Sequence, residues 1–226
     1  MAAFPLSEAD RDLVGAAVGA AEAGTDGEIL TIITPRSDEY RDTGLIWGAM
    51  AMLLIVASAA AWPWWIDAKI AFVTGGWGEA PSAAMRYLSL LFYEAVVFGI
   101  VLLVFRSYRV RITLTPKGVK ARRVRARAIR YFKVGAEKRT AARVGVLLYL
   151  SLDERLAEIV ADEAIHAKVP AEAWGDAMAA LVDRVRAGQP AQGMAAAVAQ
   201  IGAIIGEHFP KTDADVNELP DRLIEL

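Results

Sequence analysis

The stretch VGVLLYLSLDERLAEIVA, residues 144–161, decides the fold of this chain. Its first part, residues 144–150, is an unbroken apolar run, which is typical of a strand buried on both faces of a sheet. Residues 152–155 (LDER) are polar enough for a turn, and residues 156–161 form a second β-prone run. Because the connection is short, the two strands must be antiparallel, so the sequence predicts a β-hairpin.

A further strand is predicted well before this hairpin. Residues 28–34 (EILTIIT) are rich in β-branched side chains and follow the turn Thr25-Asp26-Gly27. Ser7 and Asp10 fit a capping box that opens a preceding helix over residues 8–23. The early strand has no partner in its own segment, so we expect it to pair with the hairpin.

Helices are predicted around the hairpin as well. Pro116 begins a basic helix that runs to about residue 136, and Pro170 opens another. A last helix covers residues 191–208. The basic helix has one apolar stripe, which consists of Val124, Ala128, Phe132 and Ala136. Residues 108–115 (YRVRITLT) alternate arginine with apolar residues and predict either a strand or an extended link.

Two long apolar segments predict membrane-spanning helices. Residues 43–66 contain no charged residue and end in a tryptophan cluster, which favours the headgroup level of a bilayer. The second span covers residues 87–105 and carries Glu94, which marks either a functional site or a position near the headgroups. A buried helix of a soluble protein is the alternative reading of the first segment. Gly44 and Gly48 form a GxxxG pair, which raises the alternative of a homodimer.

The positions of lysine and arginine predict the topology of the membrane hairpin. Arg36 and Arg41 precede the first span and many basic residues follow the second, whereas the connecting loop at residues 67–86 holds only Lys69 and Arg86. Basic flanks stay on the cytoplasmic side. We therefore expect a multi-pass protein of the inner (cytoplasmic) membrane with both termini in the cytoplasm.

These segments together predict one interrupted domain. The soluble α/β domain consists of residues 1–35 and 117–210, and the hairpin at residues 43–106 is inserted after the first strand. Residues 211–226 are acidic and predict a mobile tail.

The segment from Arg106 to Arg143 is strongly basic, with 14 lysines and arginines and one acid, Glu137. Next to a span, such residues bind anionic lipid headgroups. Nucleic acid is the alternative, but the segment lacks a recognised nucleic-acid motif and adjoins a membrane segment, so we predict no nucleic-acid partner. The residues expected to face lipid are Arg106, Arg109, Arg111, Lys117, Lys120, Arg122 and Arg123.

Carboxylates at predicted strand ends are the candidates for chemistry. The chain has no cysteine, which excludes cysteine nucleophiles and disulfides within it. Acids near strand ends are Glu28, Asp153, Glu154, Asp162 and Glu163. Oxygen ligands of this kind suit Mg²⁺ or Ca²⁺, which would activate water. We assign the metal to Glu28, Asp153, Asp162 and Glu163, with Asp162 as the catalytic residue; solvated turn acids are the alternative.

Several stretches of the chain resemble, in order, the TPM-domain family. They are AAEAGTDGEIL at residues 20–30, TAARVGVLLYLSLDERLAEIVADEAI at 140–165, AWGDAMAALVDRVRAG at 173–188 and GEHFP at 206–210. The resemblance covers residues 8–35 and 117–210. It is closest to a bacterial membrane branch in which a transmembrane pair interrupts the domain.

This resemblance implies a three-layer α/β sandwich. Some TPM-domain proteins are phosphatases, including a thylakoid acid phosphatase linked to photosystem repair, so it also implies phosphatase-like activity. One position departs from the family: Ala164 in ADEAI stands where the family often has glycine. A site that uses this glycine for a close ligand approach would be altered here.

Two functions therefore compete. The first is a membrane-anchored interaction or scaffold module with an unidentified protein partner. The alternative is a metal-dependent phosphatase-like hydrolase that faces the cytoplasm.

Overall fold

The computed structural model describes residues 6–76, 80–135, 144–212 and 222–226. The chain divides into two compact units, which are Met1–Asp38 with Lys117–Leu226, and Glu39–Pro116. The first unit contains α1 (Glu8–Glu22), β1 (Glu28–Thr34), α6 (Lys117–Gly135), β2 (Gly145–Ser151), β3 (Leu156–Ala161), α7 (Glu163–His166), a 3₁₀ turn (Ala171–Trp174), α8 (Gly175–Arg186), α9 (Pro190–His208) and β4 (Leu223–Glu225). The second contains α2 (Arg41–Ala61), α3 (Trp64–Thr74), α4 (Ala83–Val104) and α5 (Tyr108–Leu114).

The first unit is built on a mixed sheet with strand order β3-β2-β1-β4. β2 and β3 are antiparallel, which confirms the hairpin predicted from residues 144–161. β1 pairs in parallel with β2, with Glu28 opposite Gly145, which confirms the expected partner of the early strand. The parallel pairing requires the chain to cross from the end of β1 to the start of β2, and the second unit is inserted in that crossover.

Helices cover both faces of this sheet. On one face Val146, Leu148 and Leu150 join a core cluster with residues of α1, α8 and α9. On the other face Leu147 and Tyr149 pack with Val124, Ala128 and Phe132 of α6. Both faces of β2 are thus buried, as its unbroken apolar sequence requires. The predicted stripe of the basic helix is confirmed for those three residues, and Ala136 lies outside the described residues.

The second unit contains two helices that are long and apolar enough to cross a membrane. α2 has 21 residues and α4 has 22, and each spans about 30 Å at 1.5 Å per residue. A Cβ on Gly44 would meet Phe105 Cβ at 2.8 Å, and one on Gly48 would meet Phe98 Cδ2 at 2.7 Å. The GxxxG pair therefore serves the close packing of α2 on α4 within this chain.

Three predictions need correction. Residues Tyr108–Leu114 form α5 rather than a strand or an extended link, with Arg111 N–H and Thr115 N–H donating to the carbonyls four residues before them. The first long helix ends at Ala61 rather than residue 66, because Pro63 interrupts the backbone ladder. The predicted loop at residues 67–86 instead contains the end of α3 and the start of α4.

The end of the predicted mobile tail is also ordered. Leu223–Glu225 form β4, which pairs in parallel with β1 as a fourth strand. Arg11 fastens it to α1 through two hydrogen bonds to Glu225, at 2.9 and 3.2 Å. Three apolar-rich residues are too short a run to stand out from an acidic segment, so the strand carries no clear sequence signal.

Candidate functional site

The sequence-predicted acids lie at two opposite edges of the sheet. Glu28 begins β1 and Asp162 follows β3, and both belong to the edge where β1 and β2 start. Both side chains are buried, and Glu163 next to them is exposed. Asp153 lies in the turn between β2 and β3, at the far end of a six-residue strand from Asp162. That separation is about 20 Å at the usual rise per residue.

The four proposed ligands therefore do not fit a single metal site. One carboxylate oxygen of Asp162 accepts a hydrogen bond from Gly145 N–H at 2.9 Å, so this side chain also closes the β2–β3 ladder. Within residues 6–76, 80–135, 144–212 and 222–226, no three histidine, aspartate or glutamate side chains are grouped as metal ligands. Asp153 is removed from the proposed set because it lies at the opposite end of β3 from Asp162.

The opposite edge holds a buried polar network that the sequence does not predict as a group. Ser37 Oγ donates to Ser151 Oγ at 2.8 Å, and Ser151 Oγ donates to Glu154 Oε2 at 2.5 Å. Tyr149 OH lies 2.8 Å from Ser37 Oγ. Because the Ser37 proton is already used, the tyrosine is the donor in this pair. The three hydroxyls thus form a directed chain of hydrogen bonds that ends on the Glu154 carboxylate.

Neighbouring backbone and cationic groups hold this network in place. Ser37 N–H donates to Glu154 Oε1 at 3.0 Å, so both oxygens of that carboxylate accept hydrogen bonds. Arg127 Nε donates to the Ser37 carbonyl at 3.0 Å, and its guanidinium lies over the Tyr131 ring. Burial raises the pKa of Tyr149 above its ordinary value. Tyr149 therefore stays a neutral donor over the physiological pH range.

A cleft of about 880 Å³ opens beside this network. It follows the end of β2 and the β2–β3 turn, between the start of α6 on one face of the sheet and the end of α8 on the other. Its apolar lining includes Leu152, Leu156, Leu181 and Val185, and its charged lining consists of Lys117, Lys120, Asp153, Glu154, Arg155 and Arg186. Clefts of this size at the carboxyl ends of parallel strands are common ligand sites.

Arg155 in this cleft has an unusual backbone conformation. Its φ is 55°, in the left-handed region that glycine and asparagine favour. The turn closes through Arg155 N–H, which donates to the Leu152 carbonyl at 3.1 Å. An arginine thus occupies a position at which glycine would be less strained.

The seven basic residues expected to face lipid are divided by the structure. Arg106, Arg109 and Arg122 are exposed, whereas Lys117 and Lys120 line the cleft. Arg111 pairs with Glu39 at 3.6 Å, and Arg123 pairs with Asp38 at 2.6 Å. The side chains of Arg111 and Arg123 are only 13% and 25% exposed, so they are less open to a lipid headgroup than the three exposed arginines.

Part of the polar network carried a signal in the sequence. Tyr149 and Ser151 are polar residues on alternate positions of an otherwise apolar strand, and Glu154 is one of the acids near the predicted strand ends. Alternate residues share one face of a strand, so these polar groups were bound to need buried partners. Ser37 gave no such signal, because its contacts join residues distant in sequence.

Comparisons with known proteins agree with this architecture. The family model of the TPM domain matches residues 100–204. The fold is similar to the NMR structure of the BA42 protein from the psychrophilic bacterium Bizionia argentinensis, with a TM-score of 0.56, 15% identity and 100% of each chain covered. No curated protein matches the chain. The family match includes α6, the β2–β3 hairpin and α8, and the chain therefore carries a TPM domain.

Proposed function

We propose that this protein is a membrane-anchored interaction module, in which α2 and α4 span the inner membrane and carry the TPM domain on the cytoplasmic side. The observation that carries the proposal is the apolar surface of the two helices. Leu53, Leu54 and Leu103 are 70%, 71% and 68% exposed. A core helix of a soluble protein would bury these side chains, whereas a bilayer is the solvent that suits them.

The exposed apolar side chains of α2 and α4 would carry a large free-energy cost in water. Burying one large apolar side chain is worth about 1.5–3 kcal/mol, and each of the two helices presents several to its surroundings. Among the 18 most apolar consecutive residues of each helix, only 17% in α2 and 0% in α4 are buried within the chain. Leaving both helices in water would forgo a free energy comparable to the stability of a whole domain.

The interrupted sheet supports the proposed topology. β1 lies before the two long helices and β2 lies after them, yet they are hydrogen-bonded neighbours. The chain must therefore return to the side it left, which two spans achieve and one span does not. The lysine and arginine bias then favours the cytoplasmic side for both flanks.

Reporter fusions test this arrangement. A fluorescent protein that folds only in the cytoplasm, fused after Leu226, should be bright and should stay with the membrane pellet after alkaline carbonate washing. A reporter active only outside the cytoplasm, inserted between Gly76 and Trp77, should be active. Carbonate-extractable protein, or an externally active fusion at the C-terminus, would disprove the anchor or its orientation.

The hydrolase remains the second candidate, because Glu28 and Asp162 are both buried at one sheet edge beside Glu163. Phosphoester hydrolysis by the purified chain with Mg²⁺ or Ca²⁺ tests it. Asp162→Asn keeps the oxygen that accepts from Gly145 N–H, so the fold should survive while a catalytic carboxylate is lost. Asp153→Asn at the opposite edge is the matched control. Equal activity of wild type and Asp162→Asn would remove Asp162 as a catalytic residue.

A further inference from the structure

We propose that the cleft beside the β2–β3 turn binds an amphiphile that has an anionic head group and a hydrocarbon tail. The proposal goes beyond the membrane anchor and stands on the cleft alone. It does not need the hairpin to span a bilayer, because every lining residue belongs to the first compact unit.

The apolar part of the cleft fits a hydrocarbon tail. Leu152 and Leu156 flank the turn on one side, and Leu181 and Val185 of α8 approach from the other. Leu181 is fully buried, whereas the two leucines of the hairpin and Val185 are half-buried. Half-buried apolar side chains that line an open cleft gain free energy when a tail removes them from water.

The charged part of the cleft fits an anionic head group. Lys117, Lys120, Arg155 and Arg186 supply four cationic groups, against two acids. Of the acids, Glu154 is buried and uses both oxygens within its network, which leaves Asp153 as the half-buried acid. Arg186 Nη1 lies 3.7 Å from Asp183 Oδ1. Both side chains are exposed, so this ion pair contributes little free energy.

The position of the lysines adds to this argument. Lys117 and Lys120 lie in the first turn of α6, where the helix dipole favours acidic residues and where none is present. Two of the cleft's positive charges therefore lie where they destabilise the helix. An anionic head group would offset this cost, and the size of the cleft is within the usual range for small-molecule sites.

Photo-crosslinking tests the proposal with site resolution. The full chain is reconstituted in phosphatidylcholine nanodiscs that contain a trace of a diazirine-bearing probe, irradiated and analysed by peptide mass spectrometry. Three probes are compared: a free fatty acid, a phosphatidylglycerol and an uncharged monoacylglycerol. The two anionic probes distinguish a soluble acid from a membrane phospholipid as the source of the head group.

We expect an anionic probe to label peptides that contain residues 150–157 and 181–190, well above the uncharged probe. The double variant Lys120→Glu with Arg155→Glu should lower this labelling about tenfold, since it replaces attraction by repulsion at the cleft mouth. Arg130→Glu, an exposed charge reversal on the same helix and outside the cleft, should leave it unchanged. Thermal melting of each variant confirms that it is folded.

The outcomes separate cleanly. Labelling by the fatty acid alone supports a free acid as the ligand, and labelling by phosphatidylglycerol supports a bilayer lipid. Equal labelling by the uncharged probe, or labelling of folded double variant at the wild-type level, would overturn the proposal. The labelling does not depend on which side of the membrane the domain faces. A negative labelling result would therefore contradict the cleft ligand and not the membrane anchor. A negative result of the reporter fusions would contradict the anchor and not the cleft ligand.

Discussion

Each of the two edges of the sheet has a buried carboxylate, but the two carboxylates have different roles. At the edge where β1 and β2 start, the Asp162 carboxylate accepts from a backbone N–H and so continues the strand ladder. At the edge where they end, the Glu154 carboxylate terminates a chain of hydroxyls and lies beside an open cleft. The two buried acids differ in their partners. Asp162 accepts from Gly145 N–H as part of the strand ladder, whereas Glu154 accepts from Ser37 N–H and also from a chain of hydroxyls beside a cleft. The second arrangement is the one that indicates a candidate site.

The largest effect is expected from Glu154→Ala. It leaves Ser37 N–H and the Ser151 hydroxyl without their acceptor in a buried environment, which costs about 2–4 kcal/mol. Thermal unfolding of the full chain in detergent should occur roughly 10 °C lower than in the wild type. Asp153→Ala in the same turn is the control and should shift the midpoint by roughly 1–2 °C at most. Equal shifts would show that the network is not a stabilising unit.

A smaller effect is expected at the opposite edge. Asp162→Ala removes one acceptor from Gly145 N–H and should cost about 1–2 kcal/mol. Asp162→Asn keeps an oxygen at that position and should cost clearly less. The comparison is read from unfolding midpoints of the two variants under one condition. If Asp162→Asn lowered the unfolding midpoint as much as Asp162→Ala, the negative charge of Asp162 would matter more than its hydrogen bond. That result would contradict the structural role that we infer for Asp162.

Arg155→Gly should have the opposite sign. Glycine relieves the left-handed backbone but increases the entropy of the unfolded chain, so the net stabilisation is about 0.5–1 kcal/mol. The same change should weaken labelling of the cleft by the anionic probes. A variant that is more stable and binds less would show that the strain at this turn is kept for function, whereas loss of stability would show that the side chain holds the turn together.

The smallest effect is a difference in pH dependence. Because burial raises the pKa of Tyr149 in the folded chain, the unfolded chain ionises first as pH rises. The stability contributed by the neutral phenol is complete below pH about 10 and is lost as pH rises from there towards the folded-state pKa. Unfolding midpoints measured from pH 9 upward should fall less steeply for Tyr149→Phe than for the wild type. Identical slopes would contradict the assignment of Tyr149 as a buried donor.

Much of the fold was predictable because its signals are local. The β2–β3 hairpin, the capping box at Ser7 and the stripe of α6 each depend on side chains a few residues apart. The segment at Tyr108–Leu114 misled because β-branched residues alternate there with arginine, although a helix satisfies its backbone without any strand partner. β4 was missed because its contacts are with β1 and Arg11, which lie far away in sequence.

The site was less predictable than the fold. Asp153 and Asp162 could have been assigned to opposite edges from the hairpin alone, since they lie at the two ends of one predicted strand. The polar network could not, because Ser37 reaches Tyr149 and Ser151 only after the sheet has formed. Local patterns identify which strands exist, and the contacts between them determine which polar groups meet.

The insertion between β1 and β2 has a consequence for how the protein is made. A ribosome that adds about 5–20 residues per second completes β1 on the order of ten seconds before β2. All seven residues of β1 are buried in the finished sheet, so during this interval the nascent strand lacks its main hydrogen-bonding neighbour. Synthesis of the two long helices falls within the same interval. The domain can therefore close only after they have emerged, and β1 cannot pair with β2 before then.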